Sequence, residues 1–302
     1  MRIVRPVAVT DATLTSSSVP ETDYAEWDSG ATYALGDYVI KVATHRIYKS
    51  LQAGNLNHDP ATEPDPLNPV WWVDYGATNR WRMFDALVGQ QSSAAGSIAV
   101  VITPAAVVDS VVLLNLAAAS ARVTVTSETD GVVYDETVSL ISDSGIQDWY
   151  AYFFEPVVRR TDVVFSNLPR YLGAEVSITV TDTGGTVAIG ECILGLAREL
   201  GGVQYGARIG IRDYSVKTQD DFGNYTLLER AFAKRATFTL WVEGDFTSEL
   251  QAILAGYRAT PVVWIGTDIH AATMIYGFYR DFEIDIAYPA ASLCSLEIEG
   301  LT

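Results

Sequence analysis

The sequence predicts a mainly β protein built from three successive units, and three observations carry that prediction. Between Tyr24 and Tyr75 the chain gathers Trp27, Tyr33, Tyr38, Tyr48, Trp71, Trp72 and Tyr75 around short alternating runs, in a span too short for a large core. From about residue 92 to residue 196, β-branched alternating runs recur at near-regular spacing with turn residues between them, the pattern of an antiparallel sandwich or jelly roll. Beyond that, one stretch has helical spacing, with Leu250, Ile253, Leu254 and Tyr257 following Thr247 as the expected N-cap, and the runs around it read as strands. The expected fold is a small aromatic-cored β module, a jelly-roll-like sandwich and a β-rich C-terminal domain with one helix.

Residues 1–20 begin with a strand-like run from Arg2 to Val9 and continue through the polar Ser16–Ser18 to Pro20. The segment is too short to fold alone and is expected to add an edge strand or arm to a later domain or a neighbouring subunit. Residues 21–76 form the aromatic module. ATYALGDYVIK reads as a hairpin turning at Gly36–Asp37, HRIYKSLQ as another strand, and WWVDYG closes the unit. The Pro-, Asn- and Asp-rich stretch between the last two is a loop shaped by Pro-fixed φ angles. So small a fold needs aromatics in its core, and Trp27 with one of Trp71 or Trp72 is assigned there.

Residues 77–196 make the sandwich, entered through GATNRWRMFD, whose Trp, Met and Phe indicate a connection packed down on its neighbours. Its runs are SIAVVITP, DSVVLLNLA, ARVTVTSET, GVVYDETVSL, DWYAYFFEP, DVVFSNLP, EVSITVTDT and TVAIGECIL. Their order resembles the galactose-binding-like sandwiches of carbohydrate-binding and cell-surface proteins. Residues 197–302 form the C-terminal domain, assigned to assembly because it is the least acidic of the three domains and carries paired signs such as Glu229–Arg230.

The formal charge of −17 excludes a phosphate-backbone partner, which requires clustered Lys and Arg, so no nucleic acid is expected. No apolar run approaches the ~18 residues of a membrane span, and the N-terminal residues lack a signal peptide's apolar core. The protein is expected to be made in the cytoplasm and not to be embedded in a membrane. Cys192 and Cys294 lie in apolar strand-like runs without metal-ligand spacing, as buried free thiols do.

Within the module, the order Trp27, Gly30-x-x-Tyr33, Gly36-Asp37-x-Val39, Tyr48-Lys49 and a late Trp resembles the small chitin- and cellulose-binding modules of carbohydrate-binding families five and twelve. The resemblance implies sugar stacking on aromatic faces, with Trp27, Tyr33, Tyr48 and Trp71 or Trp72 as the matching positions. Just after Lys49, where many members carry a stacking aromatic, this chain reads SLQAGNLNHDP. The alternative is an aromatic core kept as a docking or spacer domain.

Residues 1 to about 90, with MRIVRPVAVTDATLTSS, HRIYKSLQAGN, WWVDYG and TNRWRMFD, resemble a block of phage tail-tip and baseplate proteins. That resemblance implies a virion component near the distal end of the tail, oligomeric, in contact with other tail proteins and attaching to host surface polysaccharide. The competing expectations are a stand-alone glycan-binding protein and an accessory module of a polysaccharide-degrading enzyme.

Catalysis is not expected. Asp220, Asp221 and Glu229 fall at a turn, and Asp281, Glu283 and Asp285 alternate along one solvated strand face. Asp268 and His270 lack a nucleophile elbow elsewhere. The acidic turns SETDG and ISDSG have no EF-hand spacing, so they read as solvated carboxylates and not as a structural Ca²⁺ site, and no cofactor is expected.

Overall fold

The computed structural model describes residues 1–62, 65, 67–142, 158–267 and 270–301. The expected strand DWYAYFFEP, part of the ISDSG turn and Asp268 lie outside the described residues. Strands hold 54% of the chain, in antiparallel sheets that include a curled half-barrel, as the mainly β expectation requires.

The N-terminal segment supplies β1 (Arg2–Pro6) and β2 (Leu14–Ser17). The aromatic module supplies β3 (Thr32–Tyr33), β4 (Tyr38–Lys41), β5 (Arg46–Ser50), β6 (Asn55–Leu56) and β7 (Trp72–Ala77). Next come β8 (Ser92–Ile102), β9 (Ser110–Leu114), β10 (Ser120–Ser127), β11 (Gly131–Ser139) and β12 (Ile141–Ser142). They are followed by β13 (Val158–Arg159), β14 (Val163–Ser166), β15 (Glu175–Ile189) and β16 (Glu191–Glu199). The last third holds β17 (Gly202–Val203), β18 (Arg208–Asp213), β19 (Val216–Gln219), β20 (Tyr225–Leu228) and β21 (Phe232–Glu243). It ends with helix α1 (Thr247–Gly256), β22 (Val262–Ile265), β23 (Met274–Tyr288) and β24 (Ala291–Gly300).

Two large sheets organise the body. One is five-stranded in the order β11-β10-β15-β8-β2; the other is ten-stranded in the order β14-β9-β16-β1-β22-β23-β24-β21, with β17 and β18 both paired to β21. Alternation decides which side chains face inward. Ile98, Val100 and Ile102 of β8, Val123 and Val125 of β10, and Ile178 and Val180 of β15 meet Val111, Leu113, Phe165 and Leu194 of the larger sheet in one core. Further along that face, Phe238, Leu240, Trp264, Leu296 and Ile298 form a second core under α1. The reverse face carries a third cluster, with Val4, Val112, Leu114, Ile193, Val263 and Tyr276.

The helix falls where its spacing places it, and Leu250, Ile253 and Leu254 are buried. Thr247 is not its cap. A 3-10 turn, Gly244–Phe246, runs straight into the helix, and the Thr247 hydroxyl lies 3.0 Å from that of Ser292. TVAI also belongs elsewhere than expected: it completes β15, and the chain breaks at Gly190 before ECIL starts β16. A Cβ at Gly190 would sit 2.5 Å from the Val88 carbonyl, so the crossing chain requires glycine there. Both cysteines are free and buried.

The largest correction concerns β1, which is an interior strand and not an edge. It pairs with β16 from Arg2↔Glu199 to Pro6↔Gly195, and with β22 from Arg2↔Ile265 to Val4↔Val263. Its alternation plugs two cores at once, with Ile3 in the helix-covered core and Val4 in the cluster on the reverse face. Only β2 matches the edge expectation, at the end of the five-stranded sheet beside β8. Gly195 makes the close packing of β1 possible, since a Cβ there would meet the Arg5 carbonyl at 2.2 Å and Val4 Cγ1 at 2.7 Å. Gly195→Ala is expected to destabilise the body by about 1–3 kcal/mol through overpacking against backbone, read as a lowered denaturant midpoint; an unchanged midpoint would show that β1 shifts freely.

Candidate functional site

The module is a three-stranded sheet in the order β4-β5-β7, with β3 paired to β6 beside it. The turn at Gly36 exists, with Ala34 N–H donating to Asp37 Oδ2 at 2.7 Å, but it does not close a hairpin. β3 pairs with β6, and β4 pairs with β5 across the 3-10 turn Val42–Thr44 and the left-handed His45. The segment before Trp27 lies along the free edge of β4, with Trp27 N–H donating to the Ile40 carbonyl and Ile40 N–H to that of Ala25.

Strand alternation gives this sheet two unlike faces. On the first, Val39, Tyr48 and Trp72 are buried, with Trp27, Tyr33 and Trp71 packed partly buried around them. All five residues matched to sugar-binding positions therefore gather in one cluster, and that cluster is the core of the module. Tyr48 is 7% exposed and Trp72 1%, so neither presents a ring face to a ligand, a correction to their assignment as sugar contacts. The Trp72 indole N–H donates to the His58 carbonyl at 2.8 Å, and the Tyr33 ring meets Trp72 edge-on at 5.1 Å. Asp28 N–H donates to the Tyr33 hydroxyl at 2.7 Å. Trp71 is stacked by His58 at 3.8 Å, and Lys41, ion-paired to Asp59, places its ammonium 5.0 Å over the Trp27 ring. Trp27, Tyr33 and Trp71 thus each spend part of their surface on the module itself.

The second face carries an aromatic row that the motif comparison missed. Tyr24 and Tyr38 stack at 5.0 Å, Tyr38 meets Tyr75 edge-on at 5.1 Å, and the Lys49 ammonium lies 5.4 Å over Tyr38. Beneath them, Ile40 and Ile47 are paired across β4 and β5 and buried. Tyr24 and Tyr75 stay 42% and 58% exposed, so their rings are available to a flat ligand. Tyr38 was legible, because it alternates with the buried Val39. Tyr75 was legible in the same way, three residues on from the buried Trp72 and so on the opposite face; the register shift comes only after Asp74, between the pairs Tyr48↔Asp74 and Ile47↔Gly76. Beside it opens a cleft of about 510 Å³ bounded by Tyr75, Gly76, Arg82, Gln90 and Gln91.

A polar junction fixes the module to the body. The two His45 ring nitrogens lie 3.0 Å from Glu21 Oε1 and 2.9 Å from Asp11 Oδ2, and the ring stacks on Trp81 at 4.2 Å. Thr78 donates to Glu21 at 2.8 Å, Asn79 N–H to Asp23 at 3.1 Å, and Arg82 reaches Asp23 at 3.5 Å. Trp81 and Met83 are buried, the packed-down connection expected of this stretch.

The body holds one unusual acid pair, which the sequence did not mark. Glu191 is 4% exposed on an otherwise apolar face; burial first, and the neighbouring Asp85 charge second, push its carboxyl up to about 9. Burial also raises Asp85, and Tyr276 beside them is raised by burial and both carboxyls. One oxygen of each acid finds no hydrogen-bond partner among the described residues. A cavity of about 340 Å³ bounded by Leu114, Asp162, Lys234 and Tyr276 is lined by neither acid. Asp220 instead organises its turn, accepting from Phe222 N–H, Asn224 N–H and the Asn224 amide at 2.8–3.0 Å.

No protein-family model, no characterised protein and no solved structure matches this chain.

Two outcomes follow from this geometry. Trp72→Ala should cost about 3–5 kcal/mol, as truncation of a buried aromatic does, whereas Tyr75→Ala should leave thermal unfolding of the module nearly unchanged; equal losses would contradict the two-faced sheet. Glu191 keeps in the folded state a proton that the unfolded chain releases near 4.5. Its contribution is complete below that pH and drains away as pH rises through about 9. Glu191→Gln should therefore raise the melting temperature more at pH 8.5 than at pH 4.5, and a pH-independent difference would remove this account.

Proposed function

We propose that the chain is a structural component of a phage tail tip or baseplate, working as an oligomer, with its aromatic module turned toward host surface polysaccharide. In this reading the module is a carbohydrate-binding-like fold, the middle unit a jelly-roll or galactose-binding-like sandwich, and the C-terminal domain the part that assembles. The observation that carries it is the excursion from residue 204 to 232, where β19 and β20 form a hairpin reached through β18. Tyr205, Ile211, Phe222, Tyr225, Leu227 and Leu228 all stand in solvent there, Phe222 at 91% exposure. So many large apolar side chains exposed on one arm favour a protein partner. A stand-alone glycan binder or an enzyme's accessory module gives no reason for them.

Host attachment draws support from the row in which exposed Tyr24 and Tyr75 flank half-buried Tyr38, because aromatic faces suit the apolar faces of sugar rings. Native mass measured across a concentration series tests the proposal: a defined multimer is expected, and a strict monomer that never joins tail particles would refute it. Retention on host lipopolysaccharide or chitin tests the attachment role, with Tyr75→Ala expected to weaken retention at least tenfold; full retention by that variant would exclude this face.

A further inference from the structure

Of the strand edges that the C-terminal half leaves unpaired among the described residues, two complement one another. β18 pairs with β21 on one side only. β23 pairs with β24 as far as Tyr288, but with β22 only over Met274–Gly277, so its outer edge is open from Phe278 onward. Along β18, Arg208, Gly210 and Arg212 occupy one face and Ile209 and Ile211 the other, with every residue exposed. Along β23, Asp281, Glu283 and Asp285 point outward, while Phe282 and Ile284 lie toward the helix-covered core.

We propose that β18 of one copy adds antiparallel to the open edge of β23 in the next copy, extending the half-barrel sheet from subunit to subunit. The register is set by chemistry. With Arg208 opposite Asp285 and Arg212 opposite Asp281, Ile209 falls opposite Ile284 and Ile211 opposite Phe282. Both faces then match, opposite charges outward and apolar side chains inward, which are the favourable cross-strand pairs. A shift of two residues either way leaves only one arginine opposite a carboxylate. A shift of four toward β22 puts Arg212 at Gly277, where β22 already holds the edge.

Strand direction agrees. β23, β24, β21 and β18 are successively antiparallel, so a neighbouring β23 in the same orientation as the first is antiparallel to β18. The contact is therefore head-to-tail, the type that closes into a ring or runs on as a filament. Net charge points to the same segment. Residues 204–232 hold Arg208, Arg212, Lys217 and Arg230 against Asp213, Asp220, Asp221 and Glu229, so they are neutral in a chain of formal charge −17. The arm can approach an acidic copy without the repulsion the rest of the surface would meet.

This inference rests on the oligomeric reading above, and one experiment on the full chain separates the two. Chains carrying Gly210→Cys and chains carrying Glu283→Cys are mixed and oxidised; Cys192 and Cys294 are buried and do not compete. Covalent dimers are expected from the mixture and not from either chain alone. In parallel, Arg208→Asp should weaken association at least tenfold, and combining it with Asp285→Arg in the same chain should restore it. Arg208 is preferred to Arg212 because Arg212 already reaches Glu299 of its own chain at 2.9 Å. A wild type that forms multimers while the mixture gives no cross-link and Arg208→Asp has no effect would overturn this interface and leave the oligomeric reading intact. A wild type that stays monomeric at every concentration would overturn both.

Discussion

The body depends on the backbone hydrogen bonds of one five-residue strand. Without β1, the ten-stranded sheet falls into two parts, β14-β9-β16 and the strands from β22 onward, each with an unpaired edge facing a gap one strand wide. Buried backbone N–H and C=O groups left without partners are costly, so the gap must be filled. β1 fills it with hydrogen bonds on both sides, and its alternating Ile3 and Val4 also complete a core on each face. Few other residues bear on so much of the structure. The sandwich and the C-terminal half are distinct in sequence, but they share one sheet because the N-terminus threads between them.

A second consequence lies at the other end of the same segment. After β1 the chain reaches β2 on the opposing five-stranded sheet, then passes Glu21 and Asp23, whose carboxylates hold Thr78, Asn79 and Arg82 at the base of the module. His45 joins that network from the β4–β5 turn, between Asp11 and Glu21 and against Trp81. The first 23 residues thus tie together both sheets and the module. The aromatic row on the module's second face is thereby tied through this network to both sheets.

The legible features were those with local causes. Alternation along β8, β10 and β15 gave the inward residues of the sandwich, and the spacing of Leu250, Ile253 and Leu254 gave the helix. The turn at Asp220 followed from side-chain capture of backbone N–H groups within four residues. What escaped reading was set by distant partners. An N-terminal strand carries no mark of the two strands between which it will insert. A run such as TVAI carries no mark that it continues β15 past a bulge. In the module, motif order singled out Tyr48 and Trp72 correctly as belonging together, but order does not say which face of a strand meets solvent. Tyr75 stands three residues from Trp72, so alternation alone sets it on the face of Tyr38 once Trp72 is known to point into the core. Glu191 was hidden for a related reason: its strand reads as apolar, and only the crossing of the 85–91 segment brings Asp85 to it.

Exposed edges are a hazard, since any strand can add to them, and charged side chains are the usual protection. The open edge of β23 carries outward carboxylates at Asp281, Glu283 and Asp285, in a chain that is acidic nearly everywhere else. Those carboxylates repel the acidic strands of other copies, such as β11 with Asp135 and Glu136. They leave one favourable class of partner, a strand that alternates arginine with apolar residues, and β18 has that composition. Like-charge repulsion over most of the surface and opposite-charge pairing at one edge together specify a single contact far more narrowly than apolar exposure alone would. The acidity of the chain, which argues against a nucleic-acid partner, is also part of what selects the proposed interface.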